Sequence, residues 1–557
     1  MDEEGDPTAD LTPDPEPVDF AAEDAGYVRN AAVMTAGTAL SRVTGFLRLS
    51  VQVAAIGVTG SALADTYTTA NTTPNILYEL ALGGILTSVF VPVFVDWMQQ
   101  HGREASWEVA DRVMTLTLVV LSAIAVLGAI FAPQIIGLYN SLSDAPDKAA
   151  QLELGTFFLR WFMPQIVFYG IGAVAGGLLN ANRRFAAPMF APVLNNLIVI
   201  ATFGVYAWIL HGGSPTSVAD VTGPQKLVLA AGTTLGVFVM TAALWPSLRA
   251  AGYRWRLRFD WNHPALRRLA RLAGWVVVYV AANQLAYLVI IVLNRQVQGG
   301  ITAYAAAFIV FSLPHAIFAV SIFTALLPAM SAAWSERRVD DLRDLFSRGI
   351  RDTSVVIVPA AFGFLAVALP AARLLFEHGQ GGSVDATLIA DTLRAFALGL
   401  PFFSLFQLLT RTFYSMQDTR TPALVNVLAA VVNVLADLVY FFVLDLGIPG
   451  LALGHATSYV VGTVVLLVIA RRRLGGLDGA RIGATLAKVI PLSVLAGLAA
   501  WAVTLPFPTD GAALGTWLVE VSLAVATGLL VFLAGALIVG LREVDEVKNA
   551  VRRRFRG

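Results

Sequence analysis

The sequence predicts an all-α protein that crosses a membrane many times. Of its 557 residues, 57% are hydrophobic and only 14% are charged, a composition too apolar for a soluble protein of this size. Apolar runs recur from residue 31 to residue 541, and a run of about 20 apolar residues is long enough for one membrane-spanning helix. Basic residues are concentrated in alternate connections between these runs, as expected for a chain that passes back and forth through a bilayer.

An acidic segment precedes the first apolar run. Residues 1–25 contain ten acidic residues and four prolines but no lysine or arginine, which predicts a disordered tail. The segment lacks the basic start of a secretory signal, so we expect no cleavage. The chain has no cysteine, which excludes disulfides, thiolate metal sites and thiol catalysis.

Fourteen apolar segments follow, and each is predicted to form one transmembrane helix. They lie at about 31–57, 63–97, 108–136, 154–180, 186–209, 227–248, 271–294, 300–333, 352–376, 386–416, 421–444, 449–470, 484–507 and 516–541. With this count, 29 of the 38 basic residues fall on the side of the N-terminus and only four on the opposite side. Because cytoplasmic loops are enriched in Lys and Arg, both termini are predicted to be cytoplasmic.

The sequence also resembles itself at a long offset. VFVPVFVDW (89–97) matches ALLPAMSAAW (325–334) at an offset of about 235 residues, and NANRRFAAP (180–188) matches YSMQDTRTP (414–422) at 234. This offset contains six helices, an even number, which predicts two six-helix lobes related by an axis along the membrane normal. The predicted units are a tail at 1–25, lobes at 26–250 and 251–475, an extra helix pair at 476–541 and a basic tail at 542–557.

The first apolar run contains the motif SRVTGFLR, from Ser41 to Arg48. An arginine at bilayer depth costs roughly 2.5–3.5 kcal/mol on insertion scales, so Arg42 and Arg48 are expected to face a polar cavity, a partner or an anionic ligand. Gly45 lies midway between them and is a predicted hinge. These features favour an anion site in a transporter. The alternative is that both arginines are structural or lie near a membrane interface.

A second group of polar residues lies in the eleventh apolar segment. Asn426, Asn433 and Asp437 have i, i+7, i+11 spacing, which places them along one helix face. Their oxygens are suited to hold Na⁺ or a proton, but hydrogen bonding between helices explains the pattern equally well. The isolated His315 and His455 do not form a metal site. The sequence contains no phosphate-binding loop, nucleophile elbow or HExxH motif, so we expect a transporter and not an enzyme.

Taken together, the motifs resemble the MurJ/MviN lipid II flippases of the MOP exporter superfamily. The resemblance rests on SRVTGFLR, Asp65 in SALADTYTTA, PNILYELALGGILTSVFVPVF, NANRRFAAP and RTFYSMQDTRTP, in that order along the chain. It implies that the protein moves lipid II, an undecaprenyl-diphosphate-linked disaccharide-pentapeptide, from the inner to the outer leaflet of the bacterial cytoplasmic membrane by alternating access. It also implies that the last two helices shape a groove for the lipid tail.

The resemblance further implies a set of substrate-site residues. The set consists of Ser41, Arg42, Arg48, Asp65, Tyr78 and Glu79. Some relatives carry arginines at the positions of Tyr78 and Glu79 and another near Ile309, so this cavity has fewer cations. Arg160 and Arg394 are candidates to compensate, although a structural role is favoured for both. Glu79 is a candidate partner for Arg42 or Arg48, either as a releasable latch or as a static ion pair.

Two other functions are compatible with the sequence. One is a cation-coupled drug antiporter of the multidrug (MATE) type, or an exporter of another polyprenyl-linked glycan. The other is a non-transporting membrane scaffold that recruits cell-wall synthases through its charged tails. The expected partners are lipid II, anionic lipids and those synthases, with no nucleic acid, for a protein expected to be monomeric. No cofactor is expected apart from a coupling Na⁺ or H⁺.

Overall fold

In the computed structural model, the chain forms eighteen α-helices and, across the part it describes, no β-strand. That part comprises residues 20–58, 62–83, 90–182, 184–210, 217–260, 262–378, 382–508 and 513–544. Most of the predicted acidic tail and most of the predicted basic tail lie outside these ranges. The helices therefore account for nearly all of the structure that can be compared with the predicted spans.

The helices follow one another with short connections. They are α1 (Phe20–Ile56), α2 (Leu63–Tyr78), α3 (Val91–Ile130), α4 (Ala132–Tyr139), α5 (Lys148–Phe162), α6 (Gln165–Ala181), α7 (Ala186–Ile209), α8 (Gly223–Ala242), α9 (Trp245–Ala250), α10 (Pro264–Asn294), α11 (Gly300–Pro314), α12 (Val320–Ser335), α13 (Val339–Phe376), α14 (Ser383–Ser415), α15 (Arg420–Leu438), α16 (Gly447–Arg473), α17 (Gly479–Thr504) and α18 (Leu514–Val539). Three π-helical turns, Glu79–Gly83, His315–Ala319 and Val439–Val443, extend α2, join α11 to α12 and extend α15.

Twelve stretches in the described ranges are long and apolar enough to cross a membrane, and they coincide with predicted segments three to fourteen. Several comprise two consecutive helices; α5 and α6, for example, make one crossing. The first two predicted segments correspond to α1 and α2 and are not among the twelve. The all-helical, multi-pass architecture is confirmed, and the total of fourteen crossings remains a prediction.

Two large hydrophobic cores divide the helices into halves. One core is built mainly from α2 to α9, and the other mainly from α10 to α16. Corresponding helices pack in the same way in each half: α1 against α7 as α10 against α15, and α2 against α5 as α11 against α14. Although α1 packs mainly on α7, its buried Leu49 and Val53 belong to the second core. The first helix therefore belongs to the N-terminal half (α1–α9) and lies where this half meets the C-terminal half (α10–α16).

The last two helices form a separate pair on the outside of the C-terminal half. Helices α17 and α18 pack against each other and against α13, with two small cores of their own. The intramembrane lysine of this pair, Lys488, donates to the carbonyl oxygens of Val539 (3.1 Å) and Gly540 (3.3 Å). These carbonyls end α18 and lack helical partners, so Lys488 acts as a C-terminal cap.

Candidate functional site

Arg48 points into the N-terminal half. It lines a small polar pocket with Gln52 from its own helix, Tyr67 and Asn71 from α2, and Asn195 from α7. The pocket has room for about one water molecule, roughly 10 Å³. The side-chain oxygens of Asn71 and Asn195 are buried without hydrogen-bond partners. Arg48 is half-buried and forms no ion pair within the described part of the chain. A guanidinium in this setting retains its capacity to bind an anion.

Arg42 lies two turns away on α1 and is exposed. Its charge acts on the imidazole of His315, which begins the π-helical turn after α11 in the opposite half. A second arginine, Arg411 on α14, acts on the same imidazole. His315 is held in place by a 3.0 Å hydrogen bond between its Nδ1 and Ser404 Oγ. Arg42 and Arg411 therefore both lie within electrostatic range of His315, and we call these three residues the Arg42–Arg411 cluster.

Sequence reasoning missed Arg411 because it was counted among the basic residues on the side of the N-terminus, although segment 386–416 contains it. Arg160 and Arg394, the candidates considered instead, bond within their own surroundings: Arg160 Nε donates to Ala129 O at 3.3 Å, and Arg394 pairs with Asp391 at 2.7 Å. Their structural interpretation fits these contacts. The signal in the sequence that could have identified Arg411 was its place at the start of the motif RTFYSMQDTRTP. The packing of α14 beside α11 brings this residue near the end of α11.

We expect Arg411→Ala to weaken binding of a lipid diphosphate by about tenfold or more, since a hydrogen bond to a charged group contributes roughly 1.5–3 kcal/mol. Arg42 remains in this variant, so transport should be reduced but not lost. The measurement is binding of undecaprenyl diphosphate to purified protein. Arg420→Ala is the matched control, because Arg420 is exposed and lies over the Trp275 ring at 5.5 Å. Equal binding by the Arg411 and Arg420 variants would remove Arg411 from the site.

The remaining predicted residues of this region take different positions. Asn196 on α7 donates to the Ser41 carbonyl at 3.2 Å and to Thr44 Oγ1 at 3.0 Å, which anchors the motif to the N-terminal half. Tyr78 is buried against Tyr169, with ring centroids 6.0 Å apart. Glu79 is half-buried and starts a π-helical turn. The described residues contain no ion pair between Glu79 and either Arg42 or Arg48, so the hypothetical latch is not formed in this conformation.

The predicted hinge at Gly45 lies within an unbroken helix. Helix α1 runs from Phe20 to Ile56 without interruption at this glycine. A Cβ built on Gly45 would make ordinary contact with Asn196 Nδ2 at 3.5 Å. The structure shows one conformation of α1, and bending at Gly45 remains a prediction.

Asp65 joins the two halves at the end of the bundle where α2 begins. Its carboxylate accepts hydrogen bonds from the backbone N–H of Gly299 (2.8 Å), from the N–H of Thr302 (3.1 Å) and from Thr302 Oγ1 (2.9 Å). Gly299 precedes α11 and has a φ of 80°, a left-handed conformation that favours glycine. Asp65 thus caps the N-terminus of α11 from the other half, where the helix dipole favours a negative charge.

Two further polar contacts cross between the halves at the same end. Arg295, at the end of α10, is buried and donates through Nε to Asn140 Oδ1 at 2.8 Å and through its terminal nitrogen to Gln151. Asp385, near the start of α14, accepts from the backbone N–H of Val58 at 3.1 Å. With Asp65, these contacts form what we call the gate. The gate holds this end of the molecule closed.

The internal repeat places part of the gate on the axis between the halves. Thr68 and Thr302 are separated by 234 residues, the offset of the repeat, and their hydroxyl oxygens are 3.5 Å apart. Asp65 and Gly299 have the same separation and are hydrogen-bonded. Equivalent positions of two repeats can touch only near the axis that relates them.

The eleventh predicted segment, now α15, contains a buried amide–carboxylate pair. Asn433 Nδ2 donates to Asp437 Oδ2 at 3.0 Å, whereas Asp437 Oδ1 is buried without a partner. The carboxylate lies directly against Gly454 of α16, where any added Cβ would collide with it. Asn426 faces elsewhere, donating to the Tyr279 carbonyl at 3.4 Å. The structure therefore brings together two of the three predicted ion ligands.

Neighbouring residues offer few additional ion ligands to the pair of Asn433 and Asp437. Thr457 on the neighbouring α16 donates to Leu453 O at 2.9 Å and bonds the Tyr440 hydroxyl at 3.1 Å. Across the described ranges, no group of three or more His, Asp or Glu side chains is arranged to hold a metal. Na⁺ binding at Asp437 remains a prediction, because the unpartnered oxygen fits either a cation or a proton.

The motif RTFYSMQDTRTP also has a structural component at its loop. Asp418 accepts from the Thr421 N–H (2.9 Å) and Oγ1 (2.6 Å) and pairs with Arg473 at 2.6 Å, which joins the start of α15 to the end of α16. Partial burial raises the pKa of the Asp418 carboxyl, but the Thr421 hydrogen bonds and the Arg473 charge outweigh burial and leave the pKa below its usual value. Asp418 is therefore a charged anchor of this loop.

A cavity lined by both apolar and polar side chains lies between α2 of the N-terminal half and four helices of the C-terminal half. It has a volume of about 430 Å³ and falls in the size range of small-molecule sites. Its wall comes from α2, α10, α11, α15 and α16. A multi-pass helical bundle with two equivalent halves, a closed gate at one end, unpaired arginines and a cavity between the halves has the architecture of a transporter.

The comparisons identify which transporter family this is. The chain belongs to the MurJ family, since the family profile described as "Lipid II flippase MurJ" matches residues 53–509. A "Probable lipid II flippase MurJ" of Rhizobium meliloti (strain 1021) is 28% identical over 535 residues, covering 94% of this chain and 96% of that protein. The "Lipid II flippase MurJ" of Burkholderia cenocepacia is 27% identical over 449 residues, covering 78% and 82% respectively.

Solved structures show the same fold. A lipid II flippase MurJ in an inward closed conformation superposes with a TM-score of 0.73 at 20% identity, covering 91% of this chain and 98% of that one. A multidrug resistance MATE family transporter of the MOP superfamily, in an inward-facing conformation, gives 0.62 at 16% identity and covers 78% and 94%. The multi-pass membrane architecture and the predicted family are therefore confirmed.

Proposed function

We propose that this protein is a flippase that moves lipid II from the inner to the outer leaflet of the bacterial cytoplasmic membrane by alternating access. The observation that carries the proposal is the pair Arg42 and Arg48, which lies on the helix between the halves with no acidic partner in the described part of the chain. The Rhizobium meliloti and Burkholderia cenocepacia relatives match 94% and 78% of the chain, and their names give lipid II as the substrate.

The chemistry of the substrate fits these residues. A diphosphate needs fixed cations to cross a bilayer, and guanidinium groups match phosphate oxygens through paired hydrogen bonds. Arg48 in its amide-lined pocket and the Arg42–Arg411 cluster supply three cations. The polyprenyl tail would remain in lipid along the groove assigned to α17 and α18, which expose large apolar side chains such as Trp501 and Leu530.

The gate supplies the conformational element. In the proposed orientation, with both termini cytoplasmic, the start of α2 lies at the outer face, so the gate prevents the headgroup from leaving outward. Transport then requires the contacts of Asp65, Arg295 and Asp385 to break as the halves rock. Basic residues at the opposite end fit the inner face and its anionic lipids.

The proposal is tested by depleting the native flippase from a bacterium and expressing this protein. Wild-type protein should restore growth and should also transfer lipid II between leaflets in reconstituted vesicles. A drug antiporter would restore neither activity and would instead lower drug accumulation. A scaffold would rescue growth without moving lipid in vesicles, and its rescue would depend on residues 1–25 and 543–557 but not on Arg42.

Locking the gate is expected to stop transport. The chain has no cysteine, so Thr68→Cys with Thr302→Cys introduces the only two thiols, at positions whose hydroxyl oxygens are 3.5 Å apart. Oxidation should cross-link the halves and reduce flipping to background, and a reductant should restore it. Each single-cysteine variant, oxidised in parallel, is the control. Full flipping by the cross-linked protein would contradict alternating access at this gate.

Asp437 is expected to couple transport to a cation. Asp437→Asn keeps an acceptor for Asn433 and occupies the same space beside Gly454, so the fold should be preserved. The variant loses the charge and should lose any response of flipping to a Na⁺ or H⁺ gradient. Flipping is measured in vesicles with each gradient imposed separately. A variant with unaltered transport and ion sensitivity would leave Asp437 a purely structural residue.

A further inference from the structure

The cavity between α2 and the C-terminal half differs chemically from the arginine sites. Its lining residues include no Asp, Glu, Lys or Arg. They include five amide side chains, from Asn75, Asn283, Gln284, Asn426 and Asn433. Aromatic side chains complete the wall, including Tyr304, Phe308 and Tyr459. Polar side chains are costly within a membrane protein unless they pair or face a polar cavity, so this concentration of amides indicates a site for a polar, uncharged ligand.

Several polar groups of the cavity have no hydrogen-bond partner among the residues that the structure describes. The side chains of Asn75 and Gln284 form no hydrogen bond in the part of the chain that the structure describes. His455 is buried among aromatic rings, and its Nε2 has no partner. Asn75 comes from α2 and Gln284 from α10, so the free amides belong to different halves. A ligand that bonds both would bridge the halves.

The cavity adjoins the two places where a diphosphate would bind. Helix α2 separates it from the Arg48 pocket, with Asn71 facing Arg48 and the next residue, Thr72, facing the cavity. On the other side, Phe403 lies between the Arg42–Arg411 cluster and the cavity. The Phe403 ring centroid is 4.5 Å from that of His315 and 6.3 Å from that of His455. A single helix therefore separates the cavity from the Arg48 pocket, and a single aromatic side chain lies between the cavity and the Arg42–Arg411 cluster.

We infer that this cavity binds the N-acetylated amino-sugar part of the lipid-linked headgroup, while the arginines bind the diphosphate. This inference rests on the proposed function. Sugar hydroxyls and acetamido groups are neutral and both donate and accept hydrogen bonds, which amide side chains satisfy. Sugar ring faces pack on aromatic side chains. The peptide part of the headgroup ends in a carboxylate, and a cavity whose lining contains no Lys or Arg disfavours it. The cavity is therefore a sugar subsite.

Paired lipid probes test this assignment. Binding to the purified full-length protein is measured for undecaprenyl diphosphate and for the same lipid carrying one N-acetylhexosamine. The wild type should bind the sugar-bearing lipid about tenfold more tightly, a gain that corresponds to one or two neutral hydrogen bonds. The double variant Asn75→Ala with Gln284→Ala should lose this preference and bind the bare diphosphate lipid as the wild type does. Gln99→Ala, which removes an exposed amide outside the cavity, is the matched control.

The outcomes separate this inference from the proposed function. If the double variant retains the preference for the sugar-bearing lipid, or if it loses affinity for both lipids equally, the sugar subsite is wrong. In either case, rescue and flipping by the wild-type protein still stand. If the wild type binds both lipids equally, the subsite is also wrong. Failure of the wild type to bind either lipid or to flip lipid II overturns the proposed function itself.

Discussion

Replacing Arg48 by alanine is expected to abolish rescue of a flippase-depleted bacterium. The guanidinium lies in an amide-lined pocket without an ion-pair partner among the described residues, so its loss removes a diphosphate ligand but no internal salt bridge. Two charge-assisted hydrogen bonds contribute roughly 3–6 kcal/mol, which corresponds to a loss of at least about a hundredfold in binding. Arg42→Ala should give a smaller loss, because Arg411 remains as a second cation near His315 although the positions of Tyr78 and Ile309 offer no replacement.

Growth rescue and flipping in vesicles measure this effect, with protein abundance in the membrane checked for each variant. Arg160→Ala is the matched control: it also removes an arginine from a predicted span, but one that bonds only the Ala129 carbonyl. Arg48→Lys should restore part of the activity, since lysine keeps the charge and loses the planar fork. Normal rescue by both Arg42→Ala and Arg48→Ala would place the anion site elsewhere.

Asp65→Ala is expected to give the second-largest loss, by disabling the gate. The substitution removes three hydrogen bonds between the halves and leaves the N–H groups of Gly299 and Thr302 without an acceptor in a buried position. An unsatisfied buried polar group costs about 1–3 kcal/mol, so the closed state should become unfavourable and the gate should open. Transport should fall strongly, because a gate that does not close cannot complete the cycle.

Two measurements distinguish gate opening from misfolding. Disulfide formation between Thr68→Cys and Thr302→Cys should be much slower in the Asp65→Ala background than in the otherwise unaltered protein, while membrane abundance is unchanged. Asp65→Asn should be intermediate, since one oxygen remains and its amide nitrogen faces a backbone donor. An Asp65→Ala protein that cross-links at the normal rate and flips lipid normally would show that Asp65 has no role in the gate.

Much of the architecture was predictable because it depends on local patterns. Apolar runs locate membrane helices because the thickness of the bilayer sets the length of a spanning helix. Twelve of the predicted segments have counterparts in the structure. Paired helix contacts in the two halves agree with the repeat read from residues 180–188 and 414–422. The arginines of SRVTGFLR were conspicuous because charge in an apolar run is costly. The segments that form α1 and α2 are the least typical of membrane spans, because they carry the polar residues of the site.

The partners of these residues were much harder to predict. Glu79 was a reasonable partner for the first-helix arginines by charge alone, yet no such pair forms in this conformation. Arg411 was counted among the basic residues on the side of the N-terminus. In the structure it lies on α14, and its charge acts on His315. Asn426 shares a helix face with Asp437 but bonds α10. In each case, the direction of a side chain depends on which neighbouring helix it meets.

The sequence by itself determined the membrane class and the family, and it singled out the first-helix arginines and Asp65 as candidate site residues. These features follow from composition and from motifs that are continuous along the chain. Only the tertiary structure decided that Asp65 caps α11, that Arg42 and Arg411 both act on His315, and that five amides line one cavity without Asp, Glu, Lys or Arg. The physical reason is that hydrophobic burial specifies which segments pack but is non-directional, whereas hydrogen bonds and charge contacts require exact positions supplied by residues more than 200 places away.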